Sequence, residues 1–194
     1  RAPGVLTQTP YSVSTVAEGL DHPWALQQLP DGQWLVTERT GALILFSTAG
    51  ERLAAVSGTP SVHAERQGGL LDVALSPDFA TDRLVYLSYA EDRSDGNGTS
   101  VARARLSDDG RSLSGLQVIF RAYPSYSNSM HYGSRLVFDR EGRLYVTLGE
   151  RSDLATRPQA QDLNSHLGKI IRINADGSIP ADNPFVGQDG ARPE

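Results

Sequence analysis

One pattern, met three times along the chain, limits its folding more than any other feature. It is a run of alternating apolar residues, a turn built from Asp, Gly or Pro, and a second apolar run. The first copy spans Trp24 to Thr37, with Pro30-Asp31-Gly32 at the turn. The pattern returns at Leu71 to Phe79 followed by Leu84 to Tyr89, and again at Arg135 to Gly142 followed by Arg143 to Leu148. Apolar residues at every second position put alternate side chains on one face of an extended strand, so each copy reads as an antiparallel hairpin. The copies start roughly 45 to 65 residues apart, a period that suits the four-stranded blades of a β-propeller.

Further strands fill out each unit. Ala42 to Ser47 and Arg52 to Val56 follow the first hairpin across Thr48-Ala49-Gly50, and Ser100 to Leu106 and Gln117 to Arg121 follow the second across Asp108-Asp109-Gly110. In the third, Lys169 to Asn174 runs into Ala175-Asp176-Gly177. Only Arg157 to Leu167 has a sustained helical period, and Pro158 weakens it. The expected fold is therefore all-β: a single partial β-propeller domain over residues 1–194, with blades at about 16–62, 63–126 and 127–180. Closed rings need about four to eight blades, and an open arc would leave apolar faces in water. The remaining blades are thus expected beyond the C-terminus, or from a second copy in a homodimer that completes the ring.

Composition removes several function classes. Eighteen Lys and Arg against 23 Asp and Glu give a formal charge of −5, so no basic surface is available for nucleic acid. There is no cysteine, which rules out disulfides, thiolate metal sites and a cysteine nucleophile. The longest apolar runs, such as Ala42 to Phe46, fall far short of the ~20 residues of a membrane span. The chain starts Arg1-Ala2-Pro3, as a trimmed secretory precursor or a cloned fragment would.

Three stretches carry chemistry. Glu65 to Phe79 reads ERQGGLLDVALSPDF; Met130-His131-Tyr132-Gly133-Ser134-Arg135-Leu136-Val137-Phe138 leads into Leu144 to Glu150; and Gln161-Asp162 precedes Gly168 to Phe185, GKIIRINADGSIPADNPF. They resemble, in turn, the GQGGLLG, the H-x-G-x-x-hydrophobic and the DG-x-IP-x-DNPF elements of the glucose/sorbosone dehydrogenase family. With Leu20 to Ala25 and Val36 to Gly41, the resemblance covers about residues 16 to 190. It implies a six-bladed β-propeller of which about three blades are present here. The implied protein is a quinoprotein oxidoreductase that oxidises aldose sugars at the anomeric carbon to lactones. Its cofactors would be pyrroloquinoline quinone (PQQ) and calcium, it would pass electrons to an external acceptor, and it would be periplasmic or secreted.

By the same resemblance His131 is the general base, a role that suits an imidazole with an unperturbed pKa of about 6.5. Gln67 takes the cofactor- and substrate-binding glutamine position, and Met130, Gln161 and Asp162 border the sugar. The family's acidic residue before the histidine is replaced here by Met130, so a partner that orients the base must come from elsewhere. The family's calcium ligands and later cofactor-binding cations lie past the last residue. His22 reads as a blade-packing residue, and His63 and His166 as loop histidines without a role. Asp92, Asp95 and Asn97 imitate part of a calcium loop but read as a hairpin. A calcium-dependent lactonase-like propeller and a non-catalytic binding propeller are the rival readings, because one fold serves many functions.

Overall fold

The computed structural model describes residues 9–194; the Arg1-Ala2-Pro3 start lies outside them. Among the described residues the chain forms three antiparallel sheets. The first is β1 (Pro23–Gln28), β2 (Trp34–Glu38), β3 (Leu43–Phe46) and β4 (Arg52–Val56). The second is β5 (Leu70–Leu75), β6 (Leu84–Arg93), β7 (Gly96–Leu106) and β8 (Leu113–Arg121). The third joins β9 (Gly133–Phe138), β10 (Arg143–Leu148) and β11 (Ile170–Asn174). Strands neighbour one another in sequence order in every sheet, the up-and-down arrangement of a propeller blade. This all-β arc is consistent with part of a β-propeller.

The Asp-Gly pairs explain the sharp turns. At Gly32, Gly110 and Gly177 φ is 87°, 71° and 89°, a region that glycine enters freely. Each preceding Asp accepts a hydrogen bond from a backbone N–H two residues on: Gln33 to Asp31, Arg111 to Asp109 and Ser178 to Asp176.

Burial follows the two-residue period. Val85, Leu87 and Tyr89 of β6 join Leu35, Leu43 and Leu45 of the first sheet in one core. Tyr86 of β6 faces the other way and joins Leu136, Leu144, Val146 and Ile173 of the third sheet. The central sheet is therefore buried on both faces, each fully buried aliphatic side chain contributing about 1.5–3 kcal/mol. The end sheets are covered fully on one face and only in part on the other. On the outer face of the first sheet, Val36, Ile44 and Phe46 are covered by Ala17 and Leu20, but Leu26 is 60% exposed. On the third, Val137 and Ile170 are 54% and 68% exposed.

Two helical details depart from the sequence reading. Phe79–Asp82 forms one helical turn, α1, with Phe79 buried, between two strands that the apolar pattern joins by a simple turn. Of Arg157 to Leu167 only Arg157–Gln161 is helical, as a 3-10 segment with Pro158 in its first turn, where a missing N–H does no harm. No helix among the described residues is long and apolar enough to cross a membrane.

Buried polar groups fix how the sheets align at their first strands. The Thr37 hydroxyl donates to the Leu71 carbonyl at 2.6 Å, and that of Ser88 to the Ser134 carbonyl at 2.7 Å. The Asp72 carboxylate, 1% exposed, accepts from the Leu136 N–H at 2.7 Å and from Arg135 Nη1 at 2.9 Å. Desolvation outweighs these donors and raises the Asp72 pKa above the ordinary carboxyl value. The folded state therefore holds this proton more tightly than the unfolded chain. The stability it contributes is fully present below the unfolded pKa and is lost as pH rises through the raised folded value. Urea titrations of Asp72→Asn against the parent should show that loss, as pH rises above the ordinary Asp value, in the parent alone. Parallel pH curves would contradict it.

Candidate active site

The first strands β1, β5 and β9 enter the arc on the same rim, and each is preceded by a polar residue. His22 stands before β1, Gln67 before β5 and His131 before β9. The second strands run back to that rim, where β2 delivers Arg39 and β10 delivers Glu150. A cleft of about 400 Å³ forms there, lined by His22, Arg39, Arg66, Gln67, His131 and the apolar Trp24, Leu71 and Tyr132 among others. The larger concavity, about 730 Å³, lies on the partly covered outer face of the first sheet between Val16, Leu26, Trp34 and Phe46. It is almost wholly apolar, and we assign it to sheet packing.

His131 is held at three points. Its backbone N–H donates to Gln67 Oε1 at 2.8 Å. Its Nδ1 lies 2.9 and 3.2 Å from the two carboxylate oxygens of Glu150. Its carbonyl accepts from the Arg151 N–H at 3.4 Å. An ionised carboxylate can only accept, so the proton of a neutral imidazole sits on Nδ1 and Nε2 keeps its lone pair for a substrate. Burial alone would raise the Glu150 carboxyl, but the His131 hydrogen bond and the backbone N–H groups of Glu150 and Ser152 bring its pKa below the ordinary value. Glu150 is thus ionised through the neutral range. Gln67 commits its oxygen to His131, which leaves its amide NH₂ for a ligand.

The glycine at 149 belongs to this geometry. A Cβ there would collide with the His131 carbonyl, so no larger residue fits between the base and its carboxylate. Backbone in the left-handed region also gathers here. His22, Arg66 and His131 have φ of 50°, 51° and 46°, and Ser134, Arg151 and Ser152 follow nearby. Non-glycine residues enter this region rarely, and such strain concentrates at functional sites.

Beneath the site lies Arg151, 1% exposed. It donates from Nε to the Met130 carbonyl at 2.9 Å, from Nη1 to the Asn97 carbonyl at 3.1 Å and from Nη2 to Asn97 Oδ1 at 2.6 Å. Nη2 also reaches the Asn128 carbonyl, and the guanidinium stacks 4.1 Å from the Tyr132 ring centre.

The other expected residues fall around this centre. Met130 gives its carbonyl to Arg151 and borders a neighbouring cleft with His63, Asp92 and Ser129. Gln161 is exposed at the end of the 3-10 segment and does not line the His131 cleft. That segment nevertheless abuts the Glu150 loop, since Ala160 and Glu150 both crowd Gly168. His22 is not a packing residue: its side chain is 62% exposed and pairs with Asp21 at 2.5 Å, because the turn before β1 points it outward. His63 bridges Asp92 at 2.6 Å and Ser129 at 2.9 Å. The Asp92 to Asn97 stretch is the tight end of the β6–β7 hairpin, as expected, with Asn97 buried as an anchor. Among the described residues no group of three or more acidic, His or Cys side chains could hold a metal ion.

Fold and site together define a sheet arc of the β-propeller kind, with a carboxylate-paired histidine and a glutamine facing one cleft. Residues 20–194 match the Glucose / Sorbosone dehydrogenase family model, and the chain belongs to that family. It is 45% identical over 185 residues to the aldose sugar dehydrogenase YliI of Escherichia coli, covering 94% of this chain and 49% of that protein. The solved apo form of the soluble aldose sugar dehydrogenase of Escherichia coli superposes with a TM-score of 0.88 at 44% identity, over 93% of this chain and 52% of that one. The PQQ-bound form of the aldose sugar dehydrogenase of Streptomyces coelicolor gives 0.72 at 33% identity, over 92% and 51%. The chain thus spans about half the length of these relatives.

Proposed function

We propose that this chain is the catalytic-base half of a PQQ-dependent aldose dehydrogenase that oxidises sugars at the anomeric carbon to lactones. The observation that carries the reading is the His131–Glu150 pair beside Gln67 in one cleft. Family membership and the PQQ-bound relative support it. The cleft suits an anionic quinone, since two guanidiniums are among its lining residues and no carboxylate is.

When bound, PQQ supplies the acceptor for the hydride that leaves the anomeric carbon. His131 Nε2 takes the anomeric hydroxyl proton as that hydride departs, so the C–O bond becomes the lactone carbonyl and charge balances. Glu150 keeps the Nδ1 proton in place and stabilises the imidazolium that forms. The Gln67 amide orients sugar or quinone edge, and Met130 and Gln161, which lie outside this cleft, would meet only a sugar that extends past its rim. Among the described residues no group of three or more acidic, His or Cys side chains could hold calcium.

The partly covered faces of the first and third sheets are where the other blades of a six-bladed ring would pack, from a longer polypeptide or a second copy. Sedimentation of this chain separates the two: a dimer supports closure by self-association, and a well-folded monomer overturns it. A periplasmic or secreted enzyme serving an external electron acceptor follows from the same family reading.

The test is aldose-dependent reduction of a dye by the PQQ-loaded protein. Turnover supports the reading, and its absence in the full-length protein would favour the binding-propeller alternative. Within it, Glu150→Leu should lower kcat about 10- to 100-fold at pH 7 with little change in KM, because the imidazole loses its tautomer and orientation. Glu150→Gln, which keeps an acceptor oxygen, should lose less. Equal losses in both would contradict an orienting role.

A further inference from the structure

Arg39 and Arg66 stand side by side in the cleft, where Arg39 Nη1 donates to the Arg66 carbonyl at 2.6 Å. Other guanidiniums of the arc meet carboxylates: Arg52 with Glu38, Arg121 with Glu91, Arg135 with Asp72 and Arg172 with Asp182. Among the described residues no carboxylate stands within ion-pair distance of Arg39 or Arg66. Arg39 Nε is, moreover, a buried donor with no hydrogen-bond partner. Such groups are rare because an unmet buried donor costs free energy, so the Arg39 guanidinium has donor capacity that no protein group uses. Arg66 holds φ at 51°, an unusual backbone state that its bulky side chain gains nothing from locally. In a chain of net charge −5, a cleft whose lining includes two arginines and no carboxylate is a local arrangement and not a general property of the surface.

We propose that Arg39 and Arg66 together receive a carboxylate of the ligand that fills this cleft. The inference rests on the reading of the cleft as a quinone and sugar site. A guanidinium fork matches a carboxylate in two parallel hydrogen bonds, a geometry that neither hydroxyls nor a lysine would select as well. Two ligands there could bring that group: PQQ, a tricarboxylate, or an aldose bearing an acid group, such as a uronic acid.

The experiment measures equilibrium binding to the full-length apoprotein by calorimetry, with PQQ, glucuronate and glucose as probes. Arg66→Gly suits it because glycine accepts the backbone state at 66, and Arg39→Gln is the second variant, with thermal melts to confirm folding. If the carboxylate is the cofactor's, both variants bind PQQ about 10- to 100-fold more weakly, as expected for a lost charge-assisted hydrogen bond. If it is the sugar's, the parent prefers glucuronate to glucose by about that factor, less so at high salt, and both variants lose the preference. Parent-like binding of PQQ and glucuronate by both folded variants would overturn the proposal. None of these arms reads turnover, so a failed oxidation assay and a failed anion site remain separate results.

Discussion

Turnover of an aldose by the PQQ-loaded full-length protein is expected to fall about 10²- to 10⁴-fold when His131 is replaced by alanine, the range that a positioned general base contributes. The loss should sit in kcat, because the groups around the histidine survive the change. The contact from residue 131 to Gln67 Oε1 is made by the backbone N–H, which alanine keeps, so the glutamine stays where it is. The imidazole is 45% exposed and touches its surroundings mainly through Glu150, so its removal opens no core cavity. Thermal melting should therefore stay within a few degrees of the parent, and PQQ should still bind. Dye reduction at saturating sugar, read beside a PQQ titration, separates these effects. A variant that turns over within threefold of the parent would move the base to another residue.

The sequence reached the strands and their turns because two-residue alternation and Asp-Gly pairs are local signals that burial then reinforces. Val85, Tyr86 and Leu87 alternate between two cores as the pattern required, and the hairpins close where the glycines stand. The two residues that matter most for the cleft, His131 and Gln67, were legible only through short motifs, and the structure brings them into contact across 64 residues of chain. What stayed hidden was pairing at a distance. The missing acidic neighbour at Met130 left the base without an orienting group in the sequence, and Glu150 supplies it from the end of β10, 19 residues away. No periodicity marks such a residue, because it depends on two strands returning to one rim. His22 went astray for a related reason. A histidine between Asp and Pro-Trp looks like packing, yet φ of 50° turns it out to solvent. Asn97 resembled a loop ligand and is instead a buried anchor for Tyr132 and Arg151.

Arg151→Met is expected to destabilise the protein by about 1–3 kcal/mol, the cost of leaving a buried acceptor without its donor. The side chain sits beneath the His131 loop and ties three backbone carbonyls, those of Met130, Asn97 and Asn128, to one guanidinium. Methionine fills a similar volume and offers no donor, so those carbonyls and the Asn97 side-chain oxygen lose their Arg151 bonds. Asn97 keeps the Tyr132 hydroxyl on its side-chain oxygen and the Tyr126 N–H on its carbonyl, and the Asn128 carbonyl keeps the Tyr132 hydroxyl, so the cost of about 1–3 kcal/mol for a buried group without a donor falls mainly on the Met130 carbonyl. The arginine itself is expensive to bury: desolvation pulls its pKa below the ordinary value, and the face of Tyr132 at 4.1 Å offsets some of that. Its charge is therefore a poor reason for its presence, whereas its fork of donors is a good one. Arg151→Lys keeps the charge but cannot reach several carbonyls at once, and should recover less than half of the loss. Urea denaturation followed by tryptophan fluorescence gives the magnitude, and hydrogen exchange across Asn128 to Tyr132 gives the place. Faster exchange confined to that loop, with the midpoint lowered, is the expected pair of results; a Lys variant as stable as the parent would show that charge alone holds the loop.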